Sequence, residues 1–197
     1  MVDAEPEKVD RTKPFVVLLH GSTLNATTWV DLGTVELLTD AGFRVYAINL
    51  PGVQGTSTPL VRVDSWLGSL FNLFLMWPAV IVAPSMGGAY ALPLVAQLGH
   101  SSHSSVSPLV VGLVTLAPIM VREYALALEQ FKHPALVFVG DQDPMAREAL
   151  PYLERIPAHT THIIEKGSHG WYLERPDEFH ALLLKFLKNL PLTYNPN

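Results

Sequence analysis

The chain has 197 residues, of which 49% are apolar, enough for one domain with a sizeable core. Its net charge of −5 and its lack of a basic stripe argue against a nucleic-acid partner. It has no cysteine, which excludes disulfides, a thiolate nucleophile and cysteine-based zinc sites.

The N-terminal residues 1–13 are mostly charged or polar, and we predict that they form a segment outside the fold. They lack the apolar core of a secretory signal, so we expect the protein to be located in the cytosol, with the nucleus as a second location. A single domain is predicted over residues 14–190, followed by a tail over residues 191–197.

Apolar runs bounded by turn residues predict six strands. The runs are continuous rather than alternating, which is typical of parallel strands covered on both faces. Helical segments separate them, so the sequence predicts a doubly wound α/β sheet with its site beyond the carboxyl ends of the strands. The predicted strands are Phe15–Leu19, Phe43–Leu50, Val80–Ala83, Val110–Ala117, Ala135–Val139 and Thr161–Ile164.

Capping residues predict where the helices begin. Thr27 or Thr28 is predicted to cap a helix that ends at Ala41-Gly42, and Asp64-Ser65 is predicted to cap the next. The last helix is predicted to begin at Pro176. It places on one face Phe179, Leu182, Leu183, Phe186 and Leu187.

The segment from Ser65 to Val121 contains no charged residue and must be mostly interior. The apolar stretch over residues 66–83 has the length of a membrane-spanning helix. Asn72 and Pro78 interrupt it, however, which favours a helix followed by a buried strand. The helix over residues 65–77 has more apolar surface than one core-facing stripe requires. The sequence leaves two explanations open: a contact surface, such as a homo-oligomer interface, or a helix covered by adjacent loops.

The stretch V-I-V-A-P-S-M-G-G, residues 80–88, predicts a strand, a tight turn and a helix. A serine at such a turn can be exposed above the sheet if its neighbours are small, as Ala83 and Gly87 are. The pattern is one glycine short of G-x-S-x-G, so on its own it also fits an ordinary turn. The sequence therefore makes Ser85 a candidate nucleophile.

A serine nucleophile needs a base, and the base needs an acid that fixes its tautomer. The run G-D-Q-D-P, which leaves a predicted strand at Gly140, offers Asp141 and Asp143 as alternatives for the acid. The run K-G-S-H-G follows the next predicted strand and offers His169 as the base.

An oxyanion hole needs two backbone N–H donors. The N–H of Met86, which follows the serine, would be one. The run L-L-H-G-S-T supplies the second from Ser22 or, as the weaker choice, Thr23. The pair His100 and His103 lies in a serine-rich loop without a nearby carboxylate, so we expect neither a metal site nor a required cofactor.

The order Ser, Asp, His, each directly after a strand, is that of the α/β-hydrolase fold. Over nearly its whole length the chain resembles the α/β-hydrolase superfamily, and within it the group named α/β-hydrolase domain-containing protein 14. The resemblance assigns the nucleophile to Ser85, the acid to Asp143 and the base to His169. The stretches that carry it are LLHG (18–21), TWVDLGT (28–34), AGFRVYAINLPG (41–52), APSMGGAYALP (83–93), TLAPI (115–119), PALVFVGDQDPM (134–145) and KGSHGWYLERPDEFH (166–180).

The resemblance implies a serine hydrolase of small acyl esters, and for this group also protein-lysine deacetylation with coenzyme A as the acetyl acceptor. Three features depart from the family: Ala83 replaces a usual glycine, Asn49 replaces an aspartate, and residues 1–13 show no antiparallel strand. We therefore expect six parallel strands. The 15 residues from Ile119 to His133 are too few for a lid domain. Two alternatives remain: a binding protein with vestigial chemistry, and a carbon-carbon hydrolase or lyase on the same scaffold.

Overall fold

A seven-stranded sheet in the order β1-β3-β2-β4-β5-β6-β7 forms the centre of the fold. It comes from a computed structural model that describes residues 1–7, 10–52, 63–74, 76, 78–99 and 110–191. Strands β2 to β7 pair in parallel, which confirms the six predicted strands with small shifts at their ends. The strands are β1 (Val2–Ala4), β2 (Phe15–Leu18), β3 (Val45–Ala47), β4 (Ala79–Pro84), β5 (Val110–Leu116), β6 (Ala135–Gly140) and β7 (His159–Ile164).

The strand β1 is a feature that the sequence did not predict. It pairs antiparallel with β3 and places Asp3 opposite Tyr46. Val2 and Ala4 pack against the core, whereas Asp3 is exposed. The expectation of six parallel strands without an antiparallel strand in residues 1–13 is therefore wrong. A strand of three residues is too short to show the alternation of apolar and polar residues from which a strand is predicted.

Helices cover both faces of the sheet. The last helix begins at Pro176 as predicted, and it buries Phe179, Leu183 and Leu187 against the sheet. The connection between β5 and β6 contains the six-residue helix α5. The helices are α1 (Thr27–Asp31), α2 (Thr34–Asp40), α3 (Val63–Phe74), α4 (Gly88–Gly99), α5 (Ala125–Gln130), α6 (Pro144–Leu153), α7 (Trp171–Glu174) and α8 (Pro176–Lys188).

Two predicted helix beginnings are wrong. The segment predicted as one helix up to Ala41-Gly42 is divided into α1 and α2 at Gly33, whose φ of 74° leaves the helical region. The side chain of Asn25, rather than a threonine, accepts a hydrogen bond from the Thr27 N–H at 2.9 Å. Helix α3 already includes Val63, so Asp64 and Ser65 lie inside its first turn rather than at its cap.

The core consists of one apolar layer on each face of the sheet. One layer joins the sheet to α3, α4, α5 and α6, and the other joins it to α1, α2, α7 and α8. Strand β4 lies at the centre and is buried on both faces, with Ile81 and Ala83 in the first layer and Val80 and Val82 in the second. This central position holds the end of β4, and therefore Ser85, in a rigid surrounding.

The apolar helix predicted over residues 65–77 is α3, followed by the buried strand β4. Leu67 and Phe71 are buried, whereas Leu73 is 74% exposed and Phe74 is 40% exposed. Part of the apolar surface is thus exposed in the single chain, and an oligomer contact there stays a prediction. Leu75 and Trp77 lie outside the described residues. Among the helices that the structure describes, none has the length and hydropathy needed to cross a bilayer.

Candidate active site

Ser85 directly follows β4 and begins the 3-10 turn Ser85–Gly87 that leads into α4. Its φ of 46° lies in the left-handed region, which is costly for a residue other than glycine. Ala117, Met120 and Lys166 also have positive φ, and all three follow the carboxyl ends of strands. Backbone strain in the described part of the chain is therefore concentrated at the edge of the sheet where the sequence predicted the site.

The two glycines after Ser85 are required by close packing. A Cβ atom on Gly87 would lie 3.1 Å from the Cβ of Leu19, and one on Gly88 would lie 2.6 Å from the Ile119 carbonyl oxygen. The Ile119 N–H donates a hydrogen bond to the Ser85 carbonyl oxygen at 2.9 Å. The serine turn is therefore held between the end of β2 and the segment that follows β5.

Asp143 and His169 are hydrogen-bonded to each other. The Nδ1 atom of His169 lies 2.8 Å from Oδ2 of Asp143, and the other carboxylate oxygen accepts a bond from the Met145 N–H at 3.0 Å. The Asp143 side chain is 3% exposed and that of His169 is 41% exposed. With Nδ1–H donating to the carboxylate, Nε2 is the ring nitrogen left free for proton transfer.

Two glycines bring the loops of this pair together. A Cβ atom on Gly140 would lie 2.4 Å from the Gly167 carbonyl oxygen, and one on Gly167 would lie 2.8 Å from the Cα of Gly140. The Gln142 N–H donates to the Gly167 carbonyl oxygen at 3.0 Å. Direct backbone contact between the turns after β6 and β7 therefore places Asp143 beside His169.

Asp141 was the alternative for the acid. In the described structure its buried Oδ1 atom has no hydrogen-bond partner, and its backbone N–H donates a bond of 3.1 Å to the carbonyl oxygen of Ile164 at the end of β7. The carboxylate that reaches the imidazole belongs to Asp143. The geometry therefore favours Asp143 between the two.

The loop after β2 reaches the serine turn. A Cβ atom on Gly21 would lie 3.8 Å from the Cβ of Ser85, so this loop and the serine are in contact distance. Ser22, the predicted second oxyanion donor, follows Gly21 directly, and Met86 follows Ser85. The two predicted donor peptides therefore belong to segments that lie side by side, after β2 and β4.

His20 holds this loop by two hydrogen bonds. Its side chain is buried, its Nε2 accepts a bond from the Leu50 N–H at 2.9 Å, and its Nδ1 lies 2.8 Å from the Gly21 carbonyl oxygen. Because an N–H can only donate, Nε2 is unprotonated and Nδ1–H donates to Gly21. Burial lowers the pKa of His20, and the bond to Gly21 opposes this only in part.

The bond from His20 orients the peptide between Gly21 and Ser22. In a trans peptide the carbonyl oxygen and the N–H point in opposite directions, so fixing the Gly21 carbonyl also fixes the Ser22 N–H. Asn49 adds a second support, because its Oδ1 accepts a bond from the Ala26 N–H at 2.7 Å. The sequence predicts no role for either side chain: His20 lies in the L-L-H-G-S-T run and Asn49 replaces a usual aspartate, but neither residue type indicates its partner.

Comparison with known proteins identifies the class. The family model described as "Alpha/beta hydrolase family" matches residues 16–135. The chain therefore belongs to the alpha/beta hydrolase family. Within it, the chain is 38% identical over 186 residues to mouse "Protein ABHD14A", covering 89% of this chain and 71% of the mouse protein. It is 34% identical over 183 residues to human "Putative protein-lysine deacylase ABHD14B", covering 89% of this chain and 83% of the human protein.

Solved structures share the fold. A "predicted CIB-like hydrolase" from Thermoplasma acidophilum matches with a TM-score of 0.81 and 22% identity over 93% of this chain and 90% of that chain. The carboxylesterase CesB from Bacillus subtilis matches with a TM-score of 0.72 and 16% identity, covering 94% and 86% respectively. These comparisons confirm the predicted fold class and the predicted family. Membership of this family supports hydrolase activity for the chain.

Proposed function

We propose that this protein is a serine hydrolase of small acyl esters that acts through an acyl-enzyme on Ser85. The observation that carries the proposal is the hydrogen bond between Asp143 and His169, located at the same sheet edge as the strained turn of Ser85. The bond gives the imidazole a defined tautomer, and the turn presents a serine at the end of the central strand.

The first half-reaction forms the acyl-enzyme. Ser85 Oγ attacks the carbonyl carbon of the ester while Nε2 of His169 takes its proton. The negative charge that develops on the carbonyl oxygen is stabilised by the N–H groups of Met86 and Ser22. When the tetrahedral intermediate collapses, the C–O bond to the alcohol breaks and His169 returns the proton to the leaving oxygen.

The second half-reaction transfers the acyl group to an acceptor. Water or the thiol of coenzyme A loses its proton to His169 and attacks the acyl carbon. The bond between the acyl carbon and Ser85 Oγ then breaks, and His169 returns the proton to Oγ. The name of the human relative, "Putative protein-lysine deacylase ABHD14B", supports an acylated lysine as a second substrate class, in which an amide C–N bond is broken. Coenzyme A in this scheme is a substrate that accepts the acyl group.

Short acyl groups are the expected substrates. Two of the segments that the sequence predicts as walls of the cleft above Ser85, residues 22–27 and residues 119–123, are short. The third, Trp171 with Tyr172, is not the predicted turn, because both residues lie in helix α7 and are buried in the core. Each methylene buried in a fitting tunnel contributes about 0.8 kcal/mol, so a shallow site stops gaining rate after a few carbons. The sequence also predicts residues 53–59 as part of this wall, and they lie outside the described residues.

The test uses a fluorophosphonate probe, which labels only an activated serine, on the wild-type chain and on Ser85→Ala. We expect labelling of the wild type alone, and intact-mass detection of an acyl adduct on Ser85 after incubation with acyl esters. Acetyl, butyryl, octanoyl and palmitoyl esters are then compared with and without coenzyme A. An unlabelled wild type would support the binding-protein alternative, and a preference for octanoyl or longer would refute the shallow site.

A further inference from the structure

A cavity of about 330 Å³ lies between the segment after β5 and one side of α6. Its walls combine apolar side chains with three charged side chains and one tyrosine. Its lining consists of Pro118, Ile119, Met120, Val121, Arg122, Glu123, Met145, Glu148, Ala149 and Tyr152. None of these side chains takes part in the acyl-transfer steps proposed above, although residues 119–123 also border the proposed acyl cleft.

Hydrogen bonds connect the cavity walls to the proposed reacting residues. Ile119 donates its N–H to the Ser85 carbonyl oxygen at 2.9 Å, and Met145 donates its N–H to the Asp143 carboxylate at 3.0 Å. One wall also contains Met120, whose φ of 66° is strained. Strained backbone persists where surrounding structure enforces it, and it clusters at functional sites.

The position of the cavity in the sheet indicates which part of a substrate it faces. The loop that contains the proposed oxyanion donor Ser22 follows β2, which lies on one side of β4 in the sheet. The cavity lies beyond the carboxyl ends of β5 and β6, which lie on the other side of β4. Asp143 and His169 follow β6 and β7 and lie on the same side as the cavity. Because His169 donates the proton to the departing atom, the leaving group is expected on this side.

The charges around the cavity indicate the kind of leaving group. Glu123 and Glu148 contribute two carboxylates against the one guanidinium of Arg122, and all three residues are exposed. In the described part of the chain, none of the three has an ion-pair partner within 4 Å. Their charges are therefore available to a ligand that enters between the apolar walls.

We infer that this cavity is the leaving-group subsite and that it selects an aliphatic chain that carries a positive charge beyond the reacting atom. An acylated lysine with a basic neighbour fits, because four methylenes would lie along Ile119, Val121 and Met145 while the neighbouring charge meets Glu123 or Glu148. This inference rests on the proposed function, because it takes Ser85 and His169 as the reacting groups.

The kinetic test uses pairs of acetate esters. One member of each pair is the ester of an ω-trimethylammonio alcohol with two to six methylenes, and the other has carbon in place of the nitrogen. We expect the wild type to prefer the cationic ester by roughly fivefold in kcat/KM for at least one length, as is typical of partly exposed charge pairs. The preference should decline in high salt, which screens exposed charges.

The variants use the same ratio, so any general loss of activity cancels. The double variant Glu123→Gln with Glu148→Gln should lose the preference, and Arg122→Gln should increase it. The matched control is Glu154→Gln, an exposed carboxylate after the end of α6 that does not line the cavity, and it should leave the ratio unchanged. A wild-type ratio of one at every length, or a ratio that persists in the double variant, would overturn the inference.

A binding measurement separates this inference from the proposed function. With methyl-labelled methionine, hexyltrimethylammonium should shift the NMR signals of Met120 and Met145 more than 1-hexanol does, and the double variant should lose the difference. This shift does not depend on catalysis, whereas fluorophosphonate labelling of Ser85 reports on the nucleophile alone. Equal shifts with the two ligands would contradict the inference even if Ser85 is labelled.

Discussion

The two sides of the candidate site are built differently. On the side after β2, the buried side chain of His20 and the amide of Asn49 hold the loop that contains Ser22. On the side after β6 and β7, the loops are held by backbone contact between Gly140 and Gly167, and the His169 side chain is 41% exposed.

The difference follows from which group acts. An oxyanion donor is a backbone N–H, so its own side chain cannot orient it and neighbouring side chains must. A general base is a side chain that exchanges protons with substrate and solvent, so it needs one anchored nitrogen and one accessible nitrogen. In the proposed mechanism, buried polar side chains therefore support the Ser22 N–H, and closely packed glycines support the Asp143–His169 pair.

The largest expected effect is on the acid–base side. Asp143→Asn should lower the kcat of ester hydrolysis by roughly 10⁴-fold, because an amide no longer fixes the reactive tautomer of His169. Asp141→Asn is the matched change two residues away, and it should cost less than about tenfold, since that carboxylate has no bond to the imidazole. Steady-state kinetics would measure both, and equal losses would contradict the assignment of the acid.

The next effect is on the oxyanion side. His20→Phe keeps a buried ring but removes both hydrogen bonds, and it should lower kcat by about a hundredfold while KM changes little. It should also lower the free energy of unfolding by about 1–3 kcal/mol, because the Leu50 N–H loses its acceptor. Ester kinetics and urea unfolding would measure the two effects.

The matched control for His20→Phe is His133→Phe. His133 is half-buried and packs edge-on against Phe131, which lies between α5 and β6 rather than in the candidate site. This variant should retain wild-type kcat even if it is destabilised. A similar decrease of kcat in the two variants would mean that His20 supports the fold and not the oxyanion donor.

The sequence predicted the parts of this molecule that local patterns determine. The parallel strands are continuous apolar runs because both of their faces are covered, and such runs are visible one segment at a time. Ser85, Asp143 and His169 each follow a strand and stand beside glycines that the turns require. Strand β1 has only three residues, so its pairing with β3 depends on partners distant in the chain.

Contacts between distant segments explain what was missed in the site. The bond between His20 and Leu50 joins residues 30 positions apart, and that between Asn49 and Ala26 joins residues 23 positions apart. A polar side chain in a loop shows its type in the sequence but not its partner. The cavity beside α6 likewise exists only once two segments pack together, which no single run of residues indicates.

A smaller effect tests the glycine contact on the acid–base side. Gly167→Ala would place a Cβ atom 2.8 Å from the Gly140 Cα, so the two loops must separate. We expect the free energy of unfolding to fall by about 1–3 kcal/mol, as in other overpacked sites. Turnover should fall by about tenfold as the Asp143–His169 pair is displaced.

The control for this change lies in the same loop. A Cβ atom on Gly170 would meet its nearest neighbour, Cδ1 of Leu173, at 3.5 Å, an ordinary contact. Gly170→Ala should therefore leave turnover and unfolding close to wild type. If both variants lost turnover equally, loop rigidity rather than the Gly140 contact would explain the effect.

The smallest expected effect is a pH dependence of stability on the oxyanion side. Burial lowers the pKa of His20, so below the ordinary histidine value of about 6.5 the unfolded chain binds a proton that the folded chain does not. The contribution of His20 to stability is therefore complete above that value and is lost as the pH falls toward its lowered pKa. Urea unfolding at pH 7.5 and pH 5.5 should show a smaller acid-induced loss in His20→Phe than in the wild type.

Two other histidines are also expected to contribute to the acid-induced loss of stability. Burial also lowers the pKa of His133 and of His180, whose Nε2 lies 2.9 Å from the Thr34 hydroxyl. His20→Phe should therefore remove only part of the acid-induced loss, and His180→Phe should remove another part without lowering kcat, because His180 lies on α8. An acid-induced loss identical in the wild type and His20→Phe would contradict the contribution assigned to His20.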